Sequence, residues 1–202
     1  MNIRSFSIAV VIPSLILLNG CAHYRAKPLK PLMPTTQSVE QSISFSYEVF
    51  DVDDCVRYLD RNVIAKGYQP IQITLANNTD HYFSVSTKTF SFDCLKPQEV
   101  AEKFHTNTVG RAIGYGVAGL FVWPFIIPAI VDGVGSSRSN KRLDADFSRK
   151  TFRSQVIKPH TTVNGLLFVS CDDFDENFTL TVTDQANNQY IVLSPAKPKY
   201  NI

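Results

Sequence analysis

Three segments of the chain alternate apolar and polar residues, and this alternation limits the possible folds more than any other feature. In residues 43–49, Ile43, Phe45, Tyr47 and Val49 alternate with polar side chains. The same period of two runs through residues 71–76 and 178–183. Because successive side chains of a strand point to opposite faces, each segment predicts a β-strand with one buried face. Weaker strand patterns cover residues 81–87, 89–92, 153–158, 166–170 and 190–193.

The segments between these strands predict how they connect. Asn, Asn, Thr and Asp at residues 77–80 favour a tight turn, so the strands on either side are predicted to form a β-hairpin. Residues 166–170 are almost continuously apolar, which is typical of a central strand covered on both faces. Residues 55–67 remain ambiguous. Val56, Leu59 and Val63 could share one face of a helix, but the stretch ending at Gly67 could also be a strand or a loop.

Taken together, the patterns predict a mainly β domain. The chain has 202 residues, of which 44% are hydrophobic, including 14 Phe and 8 Tyr, so it can bury a sizeable core. Seven or eight short strands separated by turns resemble an immunoglobulin-like β-sandwich. The resemblance is architectural, because the single Trp lies outside the strand segments and the disulfide-plus-tryptophan signature of antibody domains is missing. We expect the sandwich to span residues 42–202.

A glycine-rich apolar run at residues 109–135 interrupts the strand pattern. No charged side chain occurs from Ala112 to Val131. Pro97 and the acidic Glu99 favour a helix beginning near residue 96, which could continue to about residue 122. A polar helix is predicted at residues 137–152, with Leu143 and Phe147 forming its docking side. The sequence therefore predicts a helical insertion at residues 96–152.

The glycines and prolines of this run suggest a contact surface. Each glycine costs a helix about 1 kcal/mol, which close packing of small residues would offset. Prolines at 124 and 128 should stop or kink the helix, so the pieces are too short to span a bilayer. The run could be buried core, or an exposed surface that docks a protein or inserts shallowly into a membrane. The candidate contact residues are Gly110, Gly114, Tyr115, Gly116, Gly119, Phe121, Trp123, Pro124, Phe125 and Pro128.

The N-terminal segment has the pattern of a targeting signal. Arg4 precedes an apolar stretch at residues 6–18, which is followed by Leu18-Asn19-Gly20-Cys21. This tetrapeptide resembles the lipobox of bacterial lipoproteins. The resemblance implies removal of residues 1–20, acylation of Cys21 and, because Ala22 is not aspartate, delivery to the outer membrane. Two or more acyl chains anchor a protein stably. Residues 21–41, with Pro28, Pro31 and Pro34, are predicted to be a semi-rigid tether.

The remaining chemistry-bearing residues indicate no enzyme. A net charge of +2 does not favour nucleic-acid binding, and four scattered His residues lack the spacing of metal ligands. The acidic residues at 172–176 lack EF-hand spacing and favour a solvated turn. No cofactor motif is present. In an oxidising compartment, one disulfide among Cys55, Cys94 and Cys171 is plausible, and the sequence does not select the pair.

These features predict a non-enzymatic envelope protein, periplasmic or surface-facing, anchored to the membrane through Cys21. Its insertion would contact a protein partner, a second copy of the chain or the bilayer. The alternative hypothesis is a periplasmic carrier or sensor that binds a small apolar ligand between the sandwich and the insertion.

Overall fold

The computed structural model describes residues 24–32, 42–105 and 126–195, with the backbone alone at 126–136. These ranges contain seven strands and three α-helices. In chain order they are β1 Ile43–Val49, α1 Val52–Leu59, β2 Tyr68–Asn77, β3 Phe83–Phe90, α2 Pro97–Glu102, α3 Ile126–Lys150, β4 Gln155–Ile157, β5 Thr162–Ser170, β6 Leu180–Asp184 and β7 Tyr190–Leu193. The chain divides into two compact units, and all seven strands belong to the unit formed by Arg25–Phe104 and Asp144–Ile202.

The strands form two antiparallel sheets. Sheet A has the order β1-β2-β5, and sheet B has the order β4-β3-β6-β7. Inward side chains of both sheets, among them Phe45 and Ile73 from sheet A and Val85 and Val182 from sheet B, join one buried cluster. Phe178, just before β6, packs edge-on to Phe45 with ring centroids 5.8 Å apart. The prediction of a mainly β protein with two packed sheets is confirmed.

The predicted hairpin at residues 77–80 is wrong. β2 belongs to sheet A and β3 to sheet B, so this turn carries the chain from one sheet to the other. Asn77 is buried, and its side-chain amide donates to the backbone oxygens of His81 at 2.7 Å and Lys158 at 3.0 Å. The turn residues therefore hold together the connections at one end of the sandwich.

The ambiguous stretch at residues 55–67 contains the end of helix α1 and a short 3-10 helix at Ile64–Lys66. The Oδ1 atom of Asp51 accepts a hydrogen bond from the backbone N–H of Asp54 at 2.8 Å and so caps the first turn. The buried residues are Cys55, Tyr58 and Leu59, whereas Val56 is 53% exposed. A helix face that combines Val56 with Leu59 and Val63 is therefore not the buried one.

The prediction that residues 166–170 form a central strand is also wrong, although the strand is covered as expected. β5 lies at the edge of sheet A. Its outer edge is closed by two backbone hydrogen bonds of 2.8 Å, from Phe152 N to Leu166 O and from Leu95 N to Phe168 O. The ring of Phe147 stacks on Phe168 at 5.4 Å. Neighbouring chain segments thus exclude water from a strand that has only one strand partner among the described residues.

The helices within the predicted insertion at residues 96–152 are partly as expected. α2 carries Pro97 at its N-terminus, and Leu143 and Phe147 of α3 are both fully buried, which confirms the predicted docking side. α3 begins at Ile126, well before the predicted residue 137, so Pro128 lies in its first turn. There a missing N–H removes no hydrogen bond of α3. α2 ends at Glu102, so the prediction that this helix continues to about residue 122 is wrong. No helix in the described ranges is long and apolar enough to cross a membrane.

Candidate interaction surfaces

Most of the predicted functional residues lie outside the described ranges. These are Cys21 and the insertion residues Gly110, Gly114, Tyr115, Gly116, Gly119, Phe121, Trp123, Pro124 and Phe125. For Pro128 the structure gives the helical backbone alone. Acylation at Cys21 and contact through the insertion therefore stay predictions.

Part of the predicted tether is docked on the sandwich. The backbone N–H of Arg25 donates to the Asp60 carboxylate at 3.2 Å, and that of Lys27 donates to Arg57 O at 2.9 Å. Both acceptors lie at the C-terminal end of α1. Residues 25–27 therefore lie against the C-terminal end of α1 and do not extend freely into solvent. Residues 33–41, the rest of the tether, lie outside the described ranges.

Lys30 continues this docking onto the outer face of sheet A. Its Nζ atom lies 2.7 Å from Glu48 Oε1, and this hydrogen bond raises the lysine pKa. The side-chain amide of Gln72 donates to Lys30 O at 2.7 Å. Gln72 is fully buried on β2, so this bond satisfies its Nε2 atom, which would be costly to leave without a partner, whereas its Oε1 atom accepts no hydrogen bond from the described residues. The segment Arg25–Lys30 is therefore part of the folded domain.

A buried lysine joins α3 to α1. The Nζ atom of Lys150 donates to Tyr58 O and to the Asp146 carboxylate, each at 2.5 Å. Burial lowers the pKa of Lys150, whereas the bond to Asp146 acts in the opposite direction. Since its ammonium donates to two oxygens deep in the fold, this lysine serves to position the end of α3.

A cleft of about 330 Å³ lies beside α2 and the end of α3. Lys96 and Arg153 contribute cationic side chains, and Thr87, Ser148, Thr151 and Ser154 contribute hydroxyls. Leu95, Pro97, Phe152 and Leu167 contribute apolar side chains, so the lining is mixed and the carrier hypothesis stays a prediction. Burial raises the pKa of Cys94 at this cleft to about 12, so its thiol stays neutral and is not activated as a nucleophile.

The three cysteines after Cys21 are free thiols. Cys55 is buried, Cys94 is partly buried and Cys171 is exposed. The disulfide that seemed plausible from the sequence is thus not formed in this structure. Burial also raises the pKa of Cys55, to about 11.

Two histidine–carboxylate pairs tie the loops at one end of the sandwich. His81 Nδ1 lies 2.9 Å from Asp184 Oδ2, and His160 Nε2 lies 3.0 Å from Asp80 Oδ1. The hydrogen bond from His81, followed by one from Ala186 N, lowers the pKa of Asp184. Each pair joins residues far apart in sequence and so fixes loop positions. Among the described residues, no group of three metal-ligating side chains comes together.

The outer face of sheet B carries exposed apolar side chains on β4 and β7. Val156, Tyr190 and Val192 form what we call the tyrosine–valine face, with Tyr190 77% and Val192 64% exposed. One row of residues crosses all four strands of this sheet. It runs from Val156 on β4 through Ser84 on β3 and Thr183 on β6 to Tyr190 on β7. Val192 lies opposite Thr181 in the next row. Exposed tyrosine and aliphatic side chains among hydroxyls are typical of protein-contact surfaces.

The sequence contains a signal for this surface that is separate from the alternation of apolar and polar residues. Residues 190–193 read Tyr-Ile-Val-Leu, so every position of the strand is apolar or aromatic. A short strand at a sheet edge normally places polar side chains outward. Apolar residues at both outward positions, 190 and 192, leave two large exposed side chains on this strand.

Comparisons with models of protein families, with curated proteins and with solved structures found no match.

Proposed function

We propose that this protein is a non-enzymatic, lipid-anchored component of a bacterial outer membrane that acts by binding other proteins. The exposed tyrosine–valine face carries this proposal, because it combines Tyr190 and Val192, the two most exposed large apolar side chains of the described residues, on one strand. Burying such side chains against a partner is favourable by roughly 25 cal/mol per Å² of apolar area.

The anchor follows from the resemblance of Leu18-Asn19-Gly20-Cys21 to a lipobox. Arg25, whose backbone N–H donates to the Asp60 carboxylate, follows Cys21 by four residues. A chain spans at most about 3.6 Å per residue, so the acylated cysteine reaches no further than about 14 Å from Arg25. We propose that the docked segment Arg25–Lys30 keeps the sandwich close to the membrane.

The sandwich itself is proposed to be immunoglobulin-like. In that fold the first, second and fifth strands share one sheet, and the third, sixth and seventh share the other. β1, β2 and β5 form sheet A here, and β3, β6 and β7 belong to sheet B. The fourth strand has joined sheet B instead of sheet A. Such sandwiches serve many functions, so this likeness supports a binding scaffold without selecting its partner.

The apolar insertion is proposed as a second contact region. Its small residues, such as Gly110 and Gly114, favour close approach of another backbone. Deleting residues 109–135 tests this role. We expect the deleted protein to fold, as judged by an intact cooperative unfolding transition, and to lose a complex that the full chain forms in detergent-solubilised envelopes. Loss of folding would instead identify the run as core.

Photo-crosslinking in intact cells tests the tyrosine–valine face. Benzoylphenylalanine replaces Tyr190 of β7 in the full chain, with Asp172, in an exposed turn, as the control position. We expect a discrete protein adduct from position 190 and none from position 172. The same adduct from both positions, or adducts with lipid alone, would contradict protein binding at this face.

A further inference from the structure

The free edge of β7 exposes backbone hydrogen-bonding groups at defined positions. Among the described strands, β7 pairs with β6 alone. The bond from Asp184 N to Gln189 O, at 2.9 Å, closes the turn between them. Hydrogen-bonded and non-hydrogen-bonded pairs alternate along an antiparallel ladder, so Ile191 bonds to β6. The N–H and C=O groups of Tyr190 and Val192 then point away from the sheet.

This edge differs from the outer edge of sheet A. There, Leu95 and Phe152 close the edge of β5 with backbone hydrogen bonds. Natural sheet edges that remain open are usually protected by charged residues, proline or a bulge. Residues 190–193 contain no charge and no proline, and they pair with β6 in continuous register. Ile191 faces the core yet is partly exposed, because no described strand lies beside it.

We propose that β7 pairs antiparallel with β7 of a second copy of this chain, about a two-fold axis at Ile191. In this register Tyr190 lies opposite Val192 of the second copy, and Val192 opposite its Tyr190. Both are hydrogen-bonded pairs, so the outward backbone groups of all four residues are satisfied together. The two B sheets become one continuous sheet.

The side chains agree with this register. On the outer face, each Tyr190 ring packs beside the Val192 of the other copy, and aromatic–aliphatic cross-strand pairs stabilise antiparallel sheets. On the inner face, the two Ile191 side chains meet and cover each other. A two-fold interface requires a self-complementary surface. Since residues 190–193 are uncharged, bringing two copies together creates no repulsion between like charges along the strand.

The pairing is short. Pro195 cannot donate to a ladder, so the edge ends two residues after Leu193. Four residues from each copy bury less than the roughly 1,000 Å² expected of a stable interface in dilute solution. Confinement to one membrane raises the effective concentration of the copies. The strength of pairing in the cell therefore depends on the proposed lipid anchor. The register of the pairing does not depend on the anchor.

Disulfide trapping of the full chain tests the register. In a Cys171→Ser background, Ile191→Cys places one new thiol on the two-fold axis. The opposed non-hydrogen-bonded residues there have Cα atoms about 4.5 Å apart, within the range that a disulfide bridges. We expect mild oxidation of concentrated, detergent-purified protein to give a dimer on a non-reducing gel.

Two further variants serve as controls in the same background. Thr181→Cys lies one strand further in, where three strand spacings, about 14 Å, separate it from its own copy, so it should remain monomeric. Adding Val192→Pro to Ile191→Cys removes an N–H that points to the free edge and takes no part in the ladder with β6. We expect this proline to lower the dimer yield about tenfold with little change in melting temperature.

Each other result counts against the pairing. A folded Ile191→Cys protein that stays monomeric would overturn it, as would equal dimer yields from Thr181→Cys or an unchanged yield with Val192→Pro. Should Ile191→Cys fail to fold, benzoylphenylalanine at Tyr190 in the purified protein must give an adduct of twice the chain mass that maps to residues 190–193. An adduct mapping elsewhere would contradict the register. If these tests fail, position 190 can still crosslink to a different protein in cells. The pairing of two copies can therefore be wrong while the proposed binding of other proteins is right.

Discussion

Replacing Gly165 with alanine tests how the chain closes the edge of β5. A Cβ atom at this position would lie 2.7 Å from both the Cα and the N atoms of Phe152, which is 0.7 Å short of the ordinary contact distance of 3.4 Å. The obstructing atoms are backbone, held by the bond from Phe152 N to Leu166 O at 2.8 Å, so no side chain can rotate away. Overpacking typically costs about 1–3 kcal/mol, and this geometry favours the upper end.

The net effect is smaller than the clash alone. Gly→Ala restricts the unfolded chain and returns about 0.4–1 kcal/mol, which leaves a net loss of about 2 kcal/mol. For a chain of this length, each kcal/mol lowers the melting temperature by about 2–4 °C, so we expect a decrease of about 4–8 °C. Thermal unfolding followed by circular dichroism measures it. Asn164→Ala, at the exposed neighbouring position, is the control and should change stability by less than about 0.5 kcal/mol. A Gly165→Ala protein that melts within about 1 °C of wild type would refute the proposed close approach.

Three more changes test other parts of the structure. Phe147→Ala removes a fully buried ring that anchors the end of α3, and should lower the free energy of unfolding by about 3–5 kcal/mol in urea denaturation. Iodoacetamide at pH 8 should alkylate the exposed Cys171 in the folded protein. Cys94, whose pKa is raised to about 12, should react only after unfolding. Equal alkylation rates of the two cysteines in a mass-spectrometric time course would contradict this expectation. Because the hydrogen bond from His81 lowers the Asp184 pKa, the stability it contributes is present above about pH 3.9 and lost as pH falls through the lower folded-state pKa. Asp184→Asn should therefore lose less stability on acidification below pH 4 than wild type does, as measured by melting temperature against pH.

The strands could be predicted from the sequence because their signal is local. Alternation at residues 43–49 and 71–76 reports directly which face of a strand is buried, and both segments form strands of sheet A. Turn residues carry less information. Asn77 identified a reversal correctly, but turn chemistry does not determine whether the next strand joins the same sheet or the opposite one. That choice depends on packing between residues distant in sequence.

An apolar run predicts that a strand is buried, but it does not show whether strands or other chain segments cover it. The apolar run at residues 166–170 reflects coverage by Phe147 and Phe152, which approach from another part of the chain. In α1, Cys55, Tyr58 and Leu59 form the buried side, and Val56 is turned by about 100° from Cys55 towards solvent. The docking of Arg25–Lys30 had no sequence signal, since its bonds are made largely by backbone groups. Of the candidate sites, the tyrosine–valine face was readable from the apolar residues of β7, although its outward direction required the sheet register.

Lipid anchoring through Cys21 is the central proposal, and the intact mass of the mature full chain tests it directly. We predict a polypeptide that begins at Cys21 and carries the added mass of its acyl chains, and we predict that Cys21→Ser abolishes both the cleavage and the added mass. A chain of any length with an unmodified Cys21 thiol would contradict the account.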